Sequence, residues 1–173
     1  FEIVLIDDRS TDKTAEIIKK ISKENKKVQC LIRDESATPG KSAVLNDAMK
    51  LIKGEAVLVF DADAKIEPDF LDKMIVKLEP ADVGALQAQK VIINANQNFL
   101  TKCQYNEYIL DTHLQVGRDA VRCAVELRGN GELIKLQALK SINYWNEDTI
   151  TDDLDMSTRL HIKGWDIRFC TDA

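Results

Sequence analysis

Short apolar segments that alternate with segments of helical periodicity constrain the fold of this chain more than any other feature. FEIVLIDD, VQCLIRD and EAVLVFDAD are rich in β-branched residues, which is typical of buried strands. TDKTAEIIKKISKEN and PGKSAVLNDAMKLIKG lie between them and favour helices. This order of elements predicts an α/β domain with right-handed crossovers, a parallel sheet and ligands bound beyond the carboxyl ends of the strands.

The rest of the chain continues with alternating elements. PDFLDKMIVKL and TDDLDMSTRLHIKG favour helices, whereas VGALQAQKVII and WDIRFCTDA favour strands. An amphipathic pattern predicts one long helix from Asn96 to about Arg122, with apolar positions at Phe99, Leu100, Tyr105, Leu110 and Leu114. Because 173 residues suffice for one domain but not for two, residues 1–173 are predicted to form a single domain.

Bulk composition argues against several classes of function. The formal net charge is −5, and basic residues are spread along the whole length, which argues against nucleic acid as a partner. Any anionic ligand would therefore need a metal ion or a local positive group. The four cysteines are far apart, have no zinc-site spacing and are predicted to be reduced thiols of a cytosolic protein. No apolar run approaches the roughly 20 residues of a membrane span.

Acidic residues follow two of the predicted strands. Asp61 and Asp63 end the third strand, where two carboxylates could hold Mg²⁺ or Mn²⁺ together with substrate phosphates. Asp7 and Asp8 end the first strand, so the four acids should converge if the two strands are near neighbours in one sheet. The alternative for these acids is a structural role in caps and turns at the strand ends.

A third acidic cluster, Thr151-Asp152-Asp153-Leu154-Asp155, lies at a predicted helix start. Unpaired backbone N–H groups at a helix N-terminus stabilise carboxylates. A carboxylate held there could take a proton from an acceptor hydroxyl as a general base. The alternative is plain helix capping by Thr151 or Asp152.

Five blocks of the sequence, in this order, resemble family 2 glycosyltransferases of the GT-A fold. They are VLIDDRSTDKT, PGKSAVLNDA, VLVFDADAKIEPDFL, LRGNGELIK and TDDLDMSTRLHIKGWDIRF. Within that family the chain is most similar to the membrane-associated group that contains cellulose, chitin and hyaluronan synthases. The resemblance implies a GT-A-like (Rossmann-like), mostly parallel sheet flanked by helices. It also implies a metal-dependent, inverting transfer of a sugar from a UDP- or GDP-type donor, with a UDP-sugar expected.

The resemblance assigns donor-binding roles to six positions. Asp8 would contact the uracil, with Asp7 beside it shaping the pocket. Gly40 would let the backbone approach the nucleotide, and Lys41 would lie near the base or the diphosphate. The remaining two positions belong to the Asp-x-Asp block. Asp61 would face the ribose or donor sugar, and Asp63 would ligate Mg²⁺ or Mn²⁺, with Asp61 as a second candidate ligand.

The catalytic and acceptor roles fall in the last two blocks. Asp153 matches the catalytic base, and Asp152 stands where the family usually has Glu, which leaves the contact of that Glu open. The turn of the LRGNGELIK block would line the acceptor site, and an aromatic side chain near the acidic block could stack on a sugar. These acceptor candidates are Gly129, Asn130, Gly131, Glu132 and Trp145, with Gln87 and Gln89 as weaker candidates for hydroxyl partners.

The family comparison also implies that the chain is a fragment. The family's first strand and its Gln-x-x-Arg-Trp segment have no counterpart in this sequence. We therefore expect a soluble catalytic core from a larger membrane protein, acting at the cytoplasmic face on a nucleotide-sugar donor and a glycan or other hydroxyl acceptor. Three alternatives are a sugar-phosphate nucleotidyltransferase, a phosphoacceptor receiver domain and a catalytically silent binding domain.

Overall fold

The computed structural model describes all residues 1–173, in which strands and helices alternate and confirm the α/β class. The strands are β1 (Ile3–Asp8), β2 (Val28–Arg33), β3 (Ala56–Val59), β4 (Val83–Ala88), β5 (Glu132–Lys135) and β6 (Asp166–Cys170). The helices are α1 (Thr14–Glu24), α2 (Lys41–Ala48), α3 (Phe70–Leu78), α4 (Phe99–Ala120), α5 (Leu136–Ser141) and α6 (Asp152–Ile162).

The strands form two sheets rather than the single sheet expected for the first three strands. β1 and β2 form a parallel pair, whereas β3 belongs to a four-stranded sheet of order β3-β5-β4-β6. In that sheet β5 is antiparallel to β3 and β4, and β6 is parallel to β4. Three of the four strands therefore run in the same direction, as a mostly parallel sheet requires, but the sheet is mixed because β5 inserts in the opposite direction.

The four-stranded sheet is buried on both faces. Successive side chains of a strand point to opposite faces, so neighbouring residues of β4 and β5 enter different core clusters. Ala85 and Ile134 belong to the cluster that contacts α5 and α6, whereas Leu86 and Leu133 belong to the cluster that contacts α3. All six residues of β4 are buried, which makes β4 the central strand.

The long helix predicted over 96–122 is confirmed as α4, but its apolar positions do not face the core. Asn98 and Thr101 form a capping box at its start, with N–O distances of 3.0 and 3.1 Å. Its buried residues are Thr101 and Gln115, whereas Leu110 is 63% exposed. The packed side of α4 carries ion pairs instead, such as Asp111 with Arg128 and Asp119 with Arg168. No helix in the structure has both the length and the hydropathy of a bilayer-spanning segment.

Candidate active site

The acids that follow β3 lie on an exposed turn. Asp61 and Asp63 are both exposed, and the Ala64 N–H donates to the Asp61 carbonyl at 3.0 Å. Both acids line the same cavity, which has a volume of about 690 Å³. Asp61 is paired with Lys41 at 2.8 Å, whereas the Asp63 carboxylate is available to another ligand. The turn therefore presents one paired and one free carboxylate to the same space.

Lys41 joins three parts of the chain. It is the first residue of α2, and its Nζ donates to Asp61 Oδ1 at 2.8 Å and to the Gly129 carbonyl at 2.6 Å. Gly40 before it has φ 109°, a backbone conformation that favours glycine, although the space around it is open. The local reason for Gly40 is therefore its backbone conformation. Lys41 supplies the local positive group that an anionic ligand needs on an acidic protein.

The loop of residues 128–131 brings Lys41 close to the acidic start of α6. Gly129 and Gly131 have φ 70° and 73°. A Cβ added at Gly129 would lie 3.6 Å from Asp153 Oδ2 and 3.6 Å from Lys41 Nζ. Asn130 Oδ1 accepts from the Asp61 N–H at 3.3 Å. The predicted base, the lysine and the Asp-x-Asp turn thus meet around Gly129.

Gln87 fixes this loop from below, a role that the sequence did not reveal. Gln87 is fully buried on β4, so it cannot reach an acceptor hydroxyl. Its Oε1 accepts from the Arg128 N–H at 2.7 Å, and its Nε2 donates to the carbonyls of Asn130 at 3.0 Å and Ala88 at 2.8 Å. Two of these three hydrogen bonds, with the Arg128 N–H and the Asn130 carbonyl, therefore hold both sides of Gly129.

Glu132 lies under the loop rather than at its surface. Glu132 is only 2% exposed, and its Oε1 accepts a hydrogen bond from the Gly129 N–H at 2.5 Å. Burial raises the pKa of Glu132 to about 7; the Gly129 N–H opposes this rise, and the negative charge of Asp153 adds to it. Glu132 therefore supports the loop, and its pKa depends on the charges of Asp153 and Asp152.

The first two acids of α6 point to different neighbours. Thr151, one of the two residues considered as a helix cap, makes no capping hydrogen bond with its side chain. Asp152 Oδ2 lies 3.4 Å from Ser42 Oγ, in a second cavity of about 230 Å³ that also includes Gly40 and Lys41. Asp153 instead faces Gly129, because its Oδ2 would lie 3.6 Å from a Cβ placed at that glycine. The structure thus distinguishes the surroundings of Asp152 from those of Asp153, which their shared position at a helix N-terminus could not do.

Asp7 and Asp8 lie at the end of β1, in the other sheet, so β1 and β3 are not neighbours in one sheet and the condition for convergence of the four acids is not met. Burial alone would raise the pKa of Asp8, but hydrogen bonds from Arg9 and Arg33 outweigh it and lower the pKa. Arg33 Nη1 lies 2.7 Å from Asp8 Oδ1. Asp7 is 3% exposed, and its Oδ1 is buried without a hydrogen-bond partner. At the end of β1, Asp7 Oδ1 is therefore a buried oxygen to which no protein group donates a hydrogen bond.

Trp145 corrects one acceptor-site prediction. It is 5% exposed and belongs to the core cluster beneath α5 and α6. Its backbone is fixed by Asn46, which accepts from the Trp145 N–H at 3.1 Å and donates to the Trp145 carbonyl at 2.9 Å. A ring that is already covered on both sides cannot stack on a sugar, so Trp145 is a packing residue.

The protein side chains alone do not complete a metal site. No group of three or more His, Cys, Asp and Glu side chains lies close enough to hold a metal ion. Asp61 and Asp63 nevertheless share one cavity, and both are exposed. Mg²⁺ and related cations are commonly held by one or two carboxylates, with substrate phosphates and water as the other ligands. The two aspartates fit such a shared site.

The comparisons with known proteins connect this geometry to a family of transferases. The chain matches the family described as Glycosyltransferase like family 2 over residues 1–173. It is 47% identical over 167 residues to a beta-monoglucosyldiacylglycerol synthase of Nostoc sp., covering 96% of this chain and 36% of that protein. It is 31% identical over 171 residues to a poly-beta-1,6-N-acetyl-D-glucosamine synthase of Staphylococcus aureus, covering 97% and 40%. The chain thus spans less than half the length of both relatives.

A solved structure shares the fold. A mannosyltransferase from Pyrobaculum calidifontis in complex with GDP-Man and Mn²⁺ superimposes with a TM-score of 0.74 at 22% sequence identity. The match covers 99% of this chain and 46% of that chain. Nearly every element of the chain therefore has a counterpart in a glycosyltransferase fold.

Proposed function

We propose that this chain, which belongs to the Glycosyltransferase like family 2, transfers a sugar from a nucleotide diphosphate sugar to a hydroxyl acceptor with inversion at the anomeric carbon. Membership of the family and the GT-A-like fold confirm the resemblance read from the five sequence blocks. Membership of the family argues against the receiver-domain and nucleotidyltransferase alternatives. The single observation that carries the proposal is the meeting of Lys41, Asp61 and Asp153 around Gly129.

The donor is proposed to lie between the end of β1 and the start of α2. Asp8 is ionised and paired with Arg33, and its carboxylate oxygens can accept a further hydrogen bond from a uracil N–H. Asp7 lies beside it with an oxygen that needs a partner. Gly40 and Lys41 bound the adjoining cavity of about 230 Å³. We infer that a UDP-type nucleotide fits this region, with its diphosphate towards Lys41.

Asp63, assisted by Asp61, is the proposed carrier of Mg²⁺ or Mn²⁺. The bound ion would stabilise the negative charge that develops on the departing diphosphate, which is a Lewis-acid role. A diphosphate bound beside Asp61 would compete with its carboxylate for the ammonium group of Lys41. Lys41 can therefore support the same charge once it is released from Asp61.

Asp153 is the proposed general base. Its carboxylate lies on the same side of Gly129 as Lys41, so it can take the proton of an acceptor hydroxyl near the donor. The hydroxyl oxygen attacks the anomeric carbon as the bond to the diphosphate breaks, and this in-line geometry inverts the configuration. Asp152, bonded to Ser42, is placed to fix the start of α6 against α2.

The acceptor is proposed to reach this centre over the loop of residues 128–131. Gly129 and Asn130 are the partly exposed residues of this loop, Gly131 is buried, and Glu132 supports the loop from beneath. The names of the relatives suggest two classes of acceptor, a diacylglycerol and a growing glycan. We also propose that the chain works as part of a larger membrane protein, at the cytoplasmic face.

A donor screen tests the proposed function. Full-length protein is incubated with Mn²⁺ and either UDP-glucose, UDP-N-acetylglucosamine or GDP-mannose, and the release of free nucleotide is measured with lipid extract or oligosaccharide as acceptor. We expect acceptor-dependent release from one donor. A protein that binds UDP but turns over none of the donors would instead be a silent binding domain.

A further inference from the structure

The larger cavity is more apolar than the chemistry of a sugar-binding site requires. It measures about 690 Å³ and lies between the segment that follows β3 and the segment that follows β4, with Tyr108 of α4 in its wall. Ten of its 18 lining residues are hydrophobic, whereas its polar lining includes Asp61, Asp63 and Asn130 from the candidate active site. One cavity thus contacts both the proposed metal-binding aspartates and a broad apolar surface.

The apolar lining is partly open to solvent. Ile66 is 51% exposed, Val91 is 61% exposed and Ile93 is 72% exposed, although all three line this cavity. Large apolar side chains grouped at the opening of a cavity mark a surface that binds an apolar ligand or partner. Pockets of roughly 300–1,000 Å³ hold small organic ligands, so the cavity has the size of a ligand site.

The aromatic residues of the cavity are already engaged, which disfavours a glycan. Lys90 Nζ lies 5.4 Å from the centroid of the Tyr108 ring. Phe60 and Phe70 pack against each other with ring centroids 5.3 Å apart. A sugar ring that stacks on an aromatic face would have to displace one of these contacts, whereas an acyl chain needs only apolar surface.

We propose that this cavity binds the apolar part of a lipid alcohol acceptor. The hydroxyl end lies at the polar wall beside Asp61 and Asn130, and the first carbons of the acyl chains lie against Ile66, Val91 and Ile93. The inference rests on the proposed function and selects a lipid over a glycan as the acceptor. On this proposal, the segments that follow β3 and β4 determine which acceptor the protein binds.

The test compares two substitutions of exposed isoleucines in the full-length protein. Ile93→Asp places a charge at the cavity opening, and Ile162→Asp is its matched control, since Ile162 is 77% exposed at the end of α6 and does not line the cavity. The probe is monomeric dioctanoylglycerol, and binding of UDP with Mn²⁺ is measured in parallel. We expect Ile93→Asp to weaken lipid binding by about 10-fold or more, as loss of one buried isoleucine contact predicts, and Ile162→Asp to leave it unchanged.

The two readouts separate failure of the lipid site from failure of the proposed function. Equal lipid affinity in both variants, or tighter binding of a β-1,6-linked N-acetylglucosamine oligomer than of the lipid, would overturn the lipid site even if UDP binds normally. Lipid binding that depends on Ile93, in a protein that binds no UDP with Mn²⁺, would retain the lipid site and reject the transferase proposal.

Discussion

The side chains around Gly129 set the local charge of the candidate site, and burial raises the pKa of one of them, Glu132. Lys41 is shared between Asp61 and the Gly129 carbonyl, and Glu132 accepts from the Gly129 N–H. Sequence reasoning identified Lys41, Asp61 and Asp153 because they occur in blocks of a known family. It did not identify the burial of Glu132 or the loop contacts of Gln87, because one strand sequence does not reveal which neighbours its side chains meet.

Glu132 should make the protein less stable as the pH rises. Its pKa is about 7 in the folded state, against an ordinary value of 4.5, so between these values the folded state holds the proton more often than the unfolded state. This contribution to stability is fully present below pH 4.5 and is lost as the pH rises through 7. Urea unfolding at pH 5 and pH 8 measures the free energy of unfolding of the wild type and of Glu132→Gln. We expect the free energy of the variant, relative to that of the wild type, to be higher at pH 8 than at pH 5. A difference that is the same at both pH values would mean that Glu132 is ionised in the folded protein throughout.

Among the elements, the loop of residues 128–131 depends on one strand residue beneath it. Gln87→Met keeps the volume of the side chain but removes the partner of the part-buried Arg128 N–H and Asn130 carbonyl and of the buried Ala88 carbonyl. A polar group that is left buried and unpaired costs about 1–3 kcal/mol. We expect a lower melting temperature and a lower turnover number with nearly unchanged UDP affinity, because the loop is proposed to bind the acceptor and not the donor. Gln137→Met is the matched control, since Gln137 is exposed on α5, lines neither cavity, makes no side-chain hydrogen bond and should change neither quantity. Equal effects of the two substitutions would show that the loop does not need Gln87.

The elements were easier to predict than the way in which they pair. Each predicted helix and strand exists, because hydrophobic periodicity is a local property of the sequence. Two features were not predictable: the insertion of β5 between β3 and β4, and the outward position of Leu110 on α4. Both features depend on contacts between segments that are distant in the sequence. The ion pair of Asp111 with Arg128, for example, stabilises α4 with its polar side packed against the rest of the domain.

At the scale of the whole molecule, a net charge of −5 opposes the binding of a nucleotide diphosphate. We therefore expect UDP binding to require Mg²⁺ or Mn²⁺, and Asp63→Ala to remove both the metal dependence and most of the affinity. Calorimetry with Mn²⁺ and with EDTA measures this. Asp82→Ala serves as the control, because Asp82 is exposed, does not line the cavity of Asp61 and Asp63, and should behave as the wild type. Equal UDP affinity with Mn²⁺ and with EDTA would exclude the metal role.

The most direct test of the whole account is the turnover of Asp153→Asn in the full-length protein, at saturating concentrations of the donor and acceptor that the screen identifies. The amide keeps the shape of the side chain and loses its basicity, so we predict nearly normal donor binding and a loss of transfer of about 10²–10⁴-fold. Asp152→Asn, which alters the contact with Ser42, should cost less, and Asp82→Asn should cost nothing. Near-normal turnover of Asp153→Asn would contradict the account, because the base would then have to be another residue.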